Sequence, residues 1–185
     1  TCSWTDPSLV SAGTFYPPGA NDAESRLRFY SSQFPIVEVD STYYALPAER
    51  TAQLWAERTP DDFTFDVKAF SLFTNHPTKP AALPRDVRKS LGPLPERKAN
   101  LYYRDVPTEL RDEVWGRFSG ALQPLARARK LGPVLLQFPR WFNPSRESEE
   151  HILSCAEKLD PLRCSVEFRS ASWLDDKHRE RTLSF

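Results

Sequence analysis

Four short segments of the chain alternate apolar and polar side chains, and this pattern constrains the fold more than any other feature. The segments are PIVEVD, FTFDVKAF, GPVLLQFP and CSVEFRSASW, at residues 35–40, 63–70, 132–139 and 164–173. Side chains two residues apart share one face of a β-strand, so Glu167 and Arg169 point one way while Val166 and Phe168 point the other. Each segment is therefore predicted to be a strand with one apolar face and one polar face.

Helical patterns lie between these strands, at residues 22–33, 47–60, from about 108, and 145–160. The long third helix is expected to be kinked or divided at Pro124, with Gly132 just past its end. TCSW at the N-terminus is predicted to be a further strand, which makes five strands separated by helices. This order favours parallel strands joined by right-handed crossovers.

The polar faces of the strands decide between two parallel architectures. A doubly wound sheet is covered by helices on both faces, so its central strands are almost continuously apolar. In a TIM-type barrel the second face lines the interior, and its top layer, at the C-terminal ends of the strands, forms the floor of the active site. The sequence therefore predicts an α/β fold of the TIM-type (β/α) barrel class, with Glu167 and Arg169 pointing into the barrel mouth.

The composition bounds the class of protein. A chain of 185 residues with 39% apolar content is long enough for one domain, predicted to span residues 1–185. The 25 basic and 25 acidic residues cancel, so no global charge attracts nucleic acid or a membrane. The three cysteines, Cys2, Cys155 and Cys164, lack metal-ligand spacing, and neither a membrane span nor a leader peptide is visible. We expect a cytoplasmic protein without a zinc site. Its cofactors and oligomeric state stay open, and a divalent metal held by Glu38, Asp40 and Glu167 is a weaker alternative.

A long interval at about residues 71–133 is predicted to insert a Pro-rich basic loop and a helix into the domain. Residues 75–106 carry seven Lys or Arg and three acids, a net charge of +4 in a neutral chain. The cations are Lys79, Arg85, Arg88, Lys89, Arg97, Lys98 and Arg104. Two interpretations are open: a solvated surface loop, or a basic lid that holds phosphate or another anion over the mouth.

Five motifs carry a resemblance to a known family. GTFYPPGA, VEVDSTYYALP, FTFDVKAF followed by NHPT, LGPVLLQFP and SVEFRSASW occur in the order and spacing of the YecE-like family, also called domain of unknown function 72. The resemblance covers essentially the whole chain and implies a TIM-type barrel longer than this sequence, so that roughly the last three of eight strands are absent. It implies no activity. Many members have Asn where this chain has Asp40, which makes a role at that position less transferable.

The inward faces of the predicted strands bring several charged and polar side chains together. They are Glu38, Asp40, Asp66, Lys68, Gln137, Glu167 and Arg169. Four carboxylates against two cations give an inward formal charge of −2, and crowded carboxylates raise one another's pKa toward the range of a general acid or base. Glu38 and Glu167 are the favoured proton carriers, while Asp66, lower on its strand, is interpreted as structural. A purely structural pairing of Glu167 with Arg169 or Lys68 is the alternative.

Residues just beyond the strands could complete a site. His76 follows the third predicted strand on the catalytic side of the barrel, whereas His151 and His178, on helices, are expected to face solvent. Trp173 is the aromatic residue predicted to stack on a ligand, with packing under a loop as its alternative role.

Two classes of function are consistent with these residues. The first is an enzyme that acts on a small polar or anionic metabolite as a hydrolase, isomerase or lyase. Its proton carriers would be Glu38, His76 and Glu167, and its electrostatic stabilisers Lys68 and Arg169. Asp40, Gln137 and Trp173 would then bind the ligand. The second is a non-catalytic module that binds nucleic acid or a phosphorylated ligand through the basic loop and the mouth.

Overall fold

A four-stranded parallel sheet forms the centre of the molecule. In the computed structural model, which describes residues 3–92 and 99–185, the strands are β1 (Ile36–Val39), β2 (Thr64–Lys68), β3 (Leu131–Phe138) and β4 (Cys164–Phe168). They pair in sequence order, β1–β2–β3–β4, and every pair is parallel. The predicted α/β class and parallel pairing are confirmed, and the C-terminal ends of all four strands lie at one edge of the sheet.

Helices precede, connect and follow the strands. In chain order they are α1 (Pro7–Ser11), α2 (Ala23–Gln33), α3 (Ser41–Tyr44), α4 (Glu49–Glu57), α5 (Arg85–Ser90), α6 (Thr108–Arg127), α7 (Arg146–Leu159) and α8 (Arg179–Ser184). Side-chain caps explain where two of the predicted helices begin. The Asp22 carboxylate accepts a hydrogen bond from the Ser25 amide, and the Ser145 hydroxyl accepts one from the Ser148 amide, which satisfies free donors of the first turn.

Of the two outcomes predicted at Pro124, a kink or a division of the long helix, the division is wrong. α6 runs from Thr108 to Arg127 with Pro124 inside it, and Leu122 and Leu125, fully buried on either side of the proline, hold both parts against the core. Gly132 does not follow the helix either; it lies inside β3, opposite Asp66. A Cβ at this position would lie 2.0 Å from the Asp66 Oδ1 atom, so the Asp66 side chain would have to move to admit any residue other than glycine.

The predicted N-terminal strand is also wrong in the part that the structure describes. Trp4 lies in a turn, where its carbonyl oxygen accepts a hydrogen bond from the Tyr16 hydroxyl at 2.6 Å. Its buried ring makes edge contacts with Trp55, at a centroid distance of 5.6 Å, and with Phe65, at 6.2 Å. Aromatic packing, rather than a strand ladder, fixes this segment. Thr1 and Cys2 lie outside the described residues.

The apolar faces of β1, β2 and β3 form the core, as the alternation predicts. Side chains on these strands that are at most 2% exposed include Val37, Val39, Phe65, Val67, Val134 and Leu136. A second aromatic cluster joins the sheet to α6, because Phe73 stacks on Trp115 at 3.5 Å between ring centroids. β4 differs: it is one of the two outer strands of the described sheet, and Val166, on its predicted apolar face, is 38% exposed.

Candidate functional site

The loops at the C-terminal ends of the strands surround a cavity of about 450 Å³, which we call the mouth cavity. It is lined by Asp40, Tyr43, Tyr44, Lys68, His76, Gln137, Pro139, Arg140, Trp141 and Arg169. Five of these residues were candidates from the sequence. The structure therefore gathers residues from distant parts of the chain at the end of the sheet where a parallel α/β protein binds its ligands.

The β1–β2 side of the mouth holds a largely buried ion pair. Lys68 Nζ donates a hydrogen bond to Asp40 Oδ1 at 3.1 Å, and the two side chains are 14% and 26% exposed. The Thr42 hydroxyl donates to the Lys68 carbonyl oxygen at 2.6 Å, which ties the turn after β1 to the end of β2. The Thr42 hydroxyl thus holds together the two segments that carry Asp40 and Lys68.

Glu38 stands behind this ion pair, on the same face of β1 as Asp40. It does not line the mouth cavity. Burial raises the pKa of its carboxyl group, and the negative charge of Asp40 and a hydrogen bond to it raise that pKa further, with a smaller contribution from Glu167. Glu38 therefore keeps its proton to a higher pH than an ordinary glutamate, and Asp40 connects it to the cavity.

The β3–β4 side of the mouth is more open. Gln137 and Glu167 are neighbours in the strand register, and Gln137 Nε2 donates to Glu167 Oε2 at 2.7 Å. Arg169 Nε lies 3.4 Å from the other oxygen, Glu167 Oε1. The Arg169 and Glu167 side chains are 51% and 44% exposed, so this pair is in contact with solvent. Glu167 itself does not line the cavity; it positions Arg169, which does.

His76 lies against the cavity in the loop after β2, as predicted, but its environment disfavours the charged form. The residue is buried, and its Nδ1 atom lies 2.9 Å from the Thr74 hydroxyl oxygen. Burial, followed by the positive charges of Arg169 and Lys68, lowers the pKa of His76 to about 4. At neutral pH it is a neutral imidazole that accepts or donates a hydrogen bond, and it cannot deliver a proton as imidazolium.

Arg140 and Trp141 are two of the lining residues that the sequence analysis did not single out. Arg140 and Trp141 follow β3 directly in the segment QFPRW, and the Trp141 side chain is 61% exposed beside His76. The signal was available, because residues immediately after a parallel strand lie at the functional edge of the sheet.

The prediction for Trp173 is wrong, because its ring is buried in the core. The residue is 1% exposed, its Nε1 donates to the Phe142 carbonyl oxygen at 2.7 Å, and its ring stacks on Phe168 at 4.2 Å. The expectation for His151 is also wrong: it is half-buried, with Nε2 2.9 Å from the Phe73 carbonyl oxygen. The packing alternative therefore holds for Trp173.

The charge of the mouth also differs from the expected acidic floor. Lys68, Arg140 and Arg169 line the cavity against a single carboxylate, that of Asp40. Asp66 lies lower on the polar face, opposite Gly132 rather than in the cavity wall, and burial raises its pKa. The wall is therefore predominantly positive, and it is suited to an anion.

The described part of the basic loop does not form a lid over the mouth. None of its described cations lines the mouth cavity, and Glu96, Arg97 and Lys98 lie outside the described residues. The loop instead contacts α6. Asp86 accepts a hydrogen bond from Arg117 Nη1 on that helix at 3.0 Å, and this contact lowers the pKa of Asp86 to about 2.

Within residues 3–92 and 99–185, no group of three or more His, Cys, Asp or Glu side chains is arranged to hold a metal ion. None of the helices described is both long enough and apolar enough to cross a membrane.

Comparison with known proteins places the chain in a family. The model of the protein family of unknown function DUF72 matches residues 1–185. The chain belongs to this family. It is 31% identical over 172 residues to the UPF0759 protein YunF of Bacillus subtilis (strain 168), an alignment that covers 93% of this chain and 52% of YunF.

Solved structures of two DUF72 family proteins resemble the fold. The protein from Enterococcus faecalis V583 aligns with a TM-score of 0.64 at 21% identity, over 86% of this chain and 54% of that one. The protein from Thermotoga maritima MSB8 aligns with a TM-score of 0.58 at 28% identity, over 92% of this chain and 55% of that one. The chain thus spans about half the length of the relatives it matches.

Proposed function

We propose that the mouth cavity binds a small anionic metabolite and that the carboxyl groups of Asp40 and Glu38 exchange a proton with it. The observation that carries the proposal is the composition of the cavity wall. Three cations and one carboxylate surround about 450 Å³, and the carboxylate is in contact with a second carboxyl group whose pKa is raised. Binding an anion and moving a proton near neutral pH need these two properties.

The residues divide into binding and proton-transfer groups. Arg169 and Arg140 offer planar forks of donors to a carboxylate or phosphate, and Glu167 and Gln137 hold Arg169 in place. Asp40 is the carboxylate that contacts the ligand, and Glu38 acts through it as a proton reservoir. Hydrolysis, isomerisation and elimination by a lyase all use such a carboxyl group as general acid or base.

We further propose that the four strands belong to a TIM-type barrel, in which the polar face of the sheet is the interior. Three features support this: parallel strands in sequence order, helices between them, and side chains of opposite charge at the polar face of the sheet. A reducing cytoplasm as the site of action is supported by the two described cysteines, Cys155 and Cys164, which are both free thiols.

A non-catalytic binding module is the second candidate. The same three cations favour it, because they would hold a phosphorylated ligand or a nucleic-acid phosphate without any reaction. The two functions differ in whether a proton moves when the anion binds.

Calorimetric titration with inorganic phosphate, citrate and neutral glycerol tests anion binding. We expect the two anions to bind and glycerol not to bind, and we expect Arg169→Leu to weaken anion binding by about tenfold or more. Arg50→Leu is the matched control, because Arg50 forms an exposed pair with Glu57 on α4, outside the cavity lining. Equal affinities in the wild type and Arg169→Leu would contradict the proposal.

The same titration in buffers of different ionisation enthalpy tests the proton. An added anion near Glu38 raises its pKa further, so the wild type should take up a fraction of a proton on binding. Glu38→Gln should bind the anion with reduced proton uptake. If anions bind with identical proton counts in both proteins, the binding module is the better description.

A further inference from the structure

A second cavity of about 610 Å³ lies beside the mouth, and we call it the side cavity. Its walls combine aromatic rings with two arginines. Residues that bear on its chemistry are Tyr102, Tyr103, Arg104, Arg111, Trp141 and Asn143. Among the described residues that line it, Glu147 is the only acid, and with two arginines this lining carries an excess of positive charge.

The two cavities are separated by one thin ridge. His76 lines the mouth cavity and its neighbour Asn75 lines the side cavity, while Trp141 lines both. The Trp141 side chain is 61% exposed at this ridge, and its one ring contact within the described residues is an edge contact with His76, at 6.1 Å. Most of the Trp141 side chain is therefore open to a ligand that reaches from one cavity to the other.

The polar groups of the side cavity are held in place before any ligand binds. Arg111 donates from Nη2 to the Thr108 hydroxyl at 2.8 Å, and its guanidinium lies 4.5 Å from the centre of the Tyr103 ring. The Asn143 carbonyl oxygen accepts hydrogen bonds from the hydroxyls of Ser170 and Ser172, at 2.8 and 3.0 Å, which leaves its amide NH₂ group to donate.

Arg104 completes this wall. No described residue forms an ion pair or hydrogen bond with its exposed guanidinium. An arginine without a carboxylate partner, beside exposed aromatic rings, stacks readily on a planar ring and donates hydrogen bonds at its edge.

We propose that the side cavity holds the planar base of a nucleoside monophosphate whose phosphate lies among the cations of the mouth cavity. This inference rests on the proposed anion site and names the ligand class for it. Aromatic side chains stack on a base because every base has a π-face, and a fixed amide donor with a nearby carboxylate acceptor matches the polar edge of a base. A ligand carrying only a phosphate would fill the mouth and leave Trp141 without a partner.

Calorimetric titration with three probes tests the inference: inorganic phosphate, adenosine and AMP. In the wild type we expect AMP to bind at least about tenfold more tightly than either phosphate or adenosine, the scale of one base–aromatic stack. In Trp141→Ala the ratio of AMP affinity to phosphate affinity should fall to about one, and Trp141→Phe should keep most of the ratio. Arg104→Gln should lower the ratio by a smaller factor.

The control is Leu183→Ala. Leu183 is the 75% exposed leucine of α8, outside both cavity linings, and its replacement should leave the affinities for all three probes unchanged. Equal affinities for AMP and phosphate in the wild type would overturn the side cavity as a base site while the anion site stands. An AMP preference that survives Trp141→Ala would also overturn it. If neither phosphate nor AMP binds, the proposed function fails and the base site fails with it.

Discussion

The two sides of the mouth carry similar ion pairs in different surroundings. On the β1–β2 side, Lys68 and Asp40 are 14% and 26% exposed and stand next to the Glu38 carboxyl group. On the β3–β4 side, Arg169 and Glu167 are 51% and 44% exposed, and Gln137 satisfies one of the carboxylate oxygens. The chemical types match, but one pair is largely removed from water and the other is not.

The two pairs differ in how far they are shielded from water. Lys68 lies on β2, which has a hydrogen-bonded neighbour on each side, whereas Glu167 lies on β4, one of the two outer strands of the described sheet. Removing one partner of an ion pair that is shielded from water is strongly destabilising, and pairs in contact with water contribute little. We therefore propose that the β1–β2 pair serves structure and proton transfer, and that Arg169 binds the ligand.

The largest expected effect on stability is that of Lys68→Met. This change leaves the Asp40 carboxylate beside Glu38 without its cation, and we expect a loss of about 2–3 kcal/mol, somewhat less than for a fully buried pair. Urea unfolding measures it. Lys158→Met is the matched control, because the Lys158–Asp112 pair is 38% and 47% exposed. Equal losses of unfolding free energy in Lys68→Met and Lys158→Met would contradict the conclusion that the less exposed ion pair contributes more to stability.

The next largest expected effect is the stability that the protein loses at acid pH because of His76. Its pKa is about 6.5 when unfolded and about 4 when folded, so the unfolded state binds the extra proton and stability is lost as the pH falls through this window. Between pH 7 and 5 the expected loss is about 1–2 kcal/mol. His76→Gln should reduce the pH dependence by this amount in parallel thermal melts. An unchanged pH dependence of stability in His76→Gln would show that burial in the mouth does not lower the pKa of His76.

A small effect is expected for Arg169→Leu, which removes the exposed member of the β3–β4 side. Exposed ion pairs contribute at most about 1 kcal/mol, so the melting temperature should shift by no more than a few degrees. A loss as large as that of Lys68→Met would instead show that Arg169 is a structural partner of Glu167, the alternative that the sequence left open.

The smallest expected effects are two shifts in melting temperature of opposite sign, one for Glu38→Gln and one for Glu167→Gln. Because the folded-state pKa of Glu38 is raised, its carboxyl group favours folding less as the pH rises from 4.5 through that pKa. Glu38→Gln resembles the protonated form and should slightly raise the melting temperature at pH 7. Glu167→Gln weakens the contact with Arg169 and should slightly lower it. Shifts of the same sign would contradict the assignment of the raised pKa to Glu38.

Much of the fold followed from local pattern. The period-2 alternation placed β1 to β4, and the helical spacing placed α2, α4, α6 and α7. The polar faces indicated the edge of the sheet where the mouth cavity lies. Where prediction failed, packing overrode the local signal. Trp4 and Trp173 were placed by their position near predicted strands, yet each is buried among aromatic rings from distant segments.

Strand periodicity and strand order are local features of the sequence, so the parallel α/β class and half of the residues that line the mouth could be predicted from the sequence alone. The five motifs were enough to indicate the family. Only the tertiary structure decided the charge of the mouth, since Arg140 enters the wall while Glu38 and Glu167 stand behind it. It also decided that Glu38 has the raised pKa and His76 the lowered one, because burial and the nearest charges come from residues far apart in the chain.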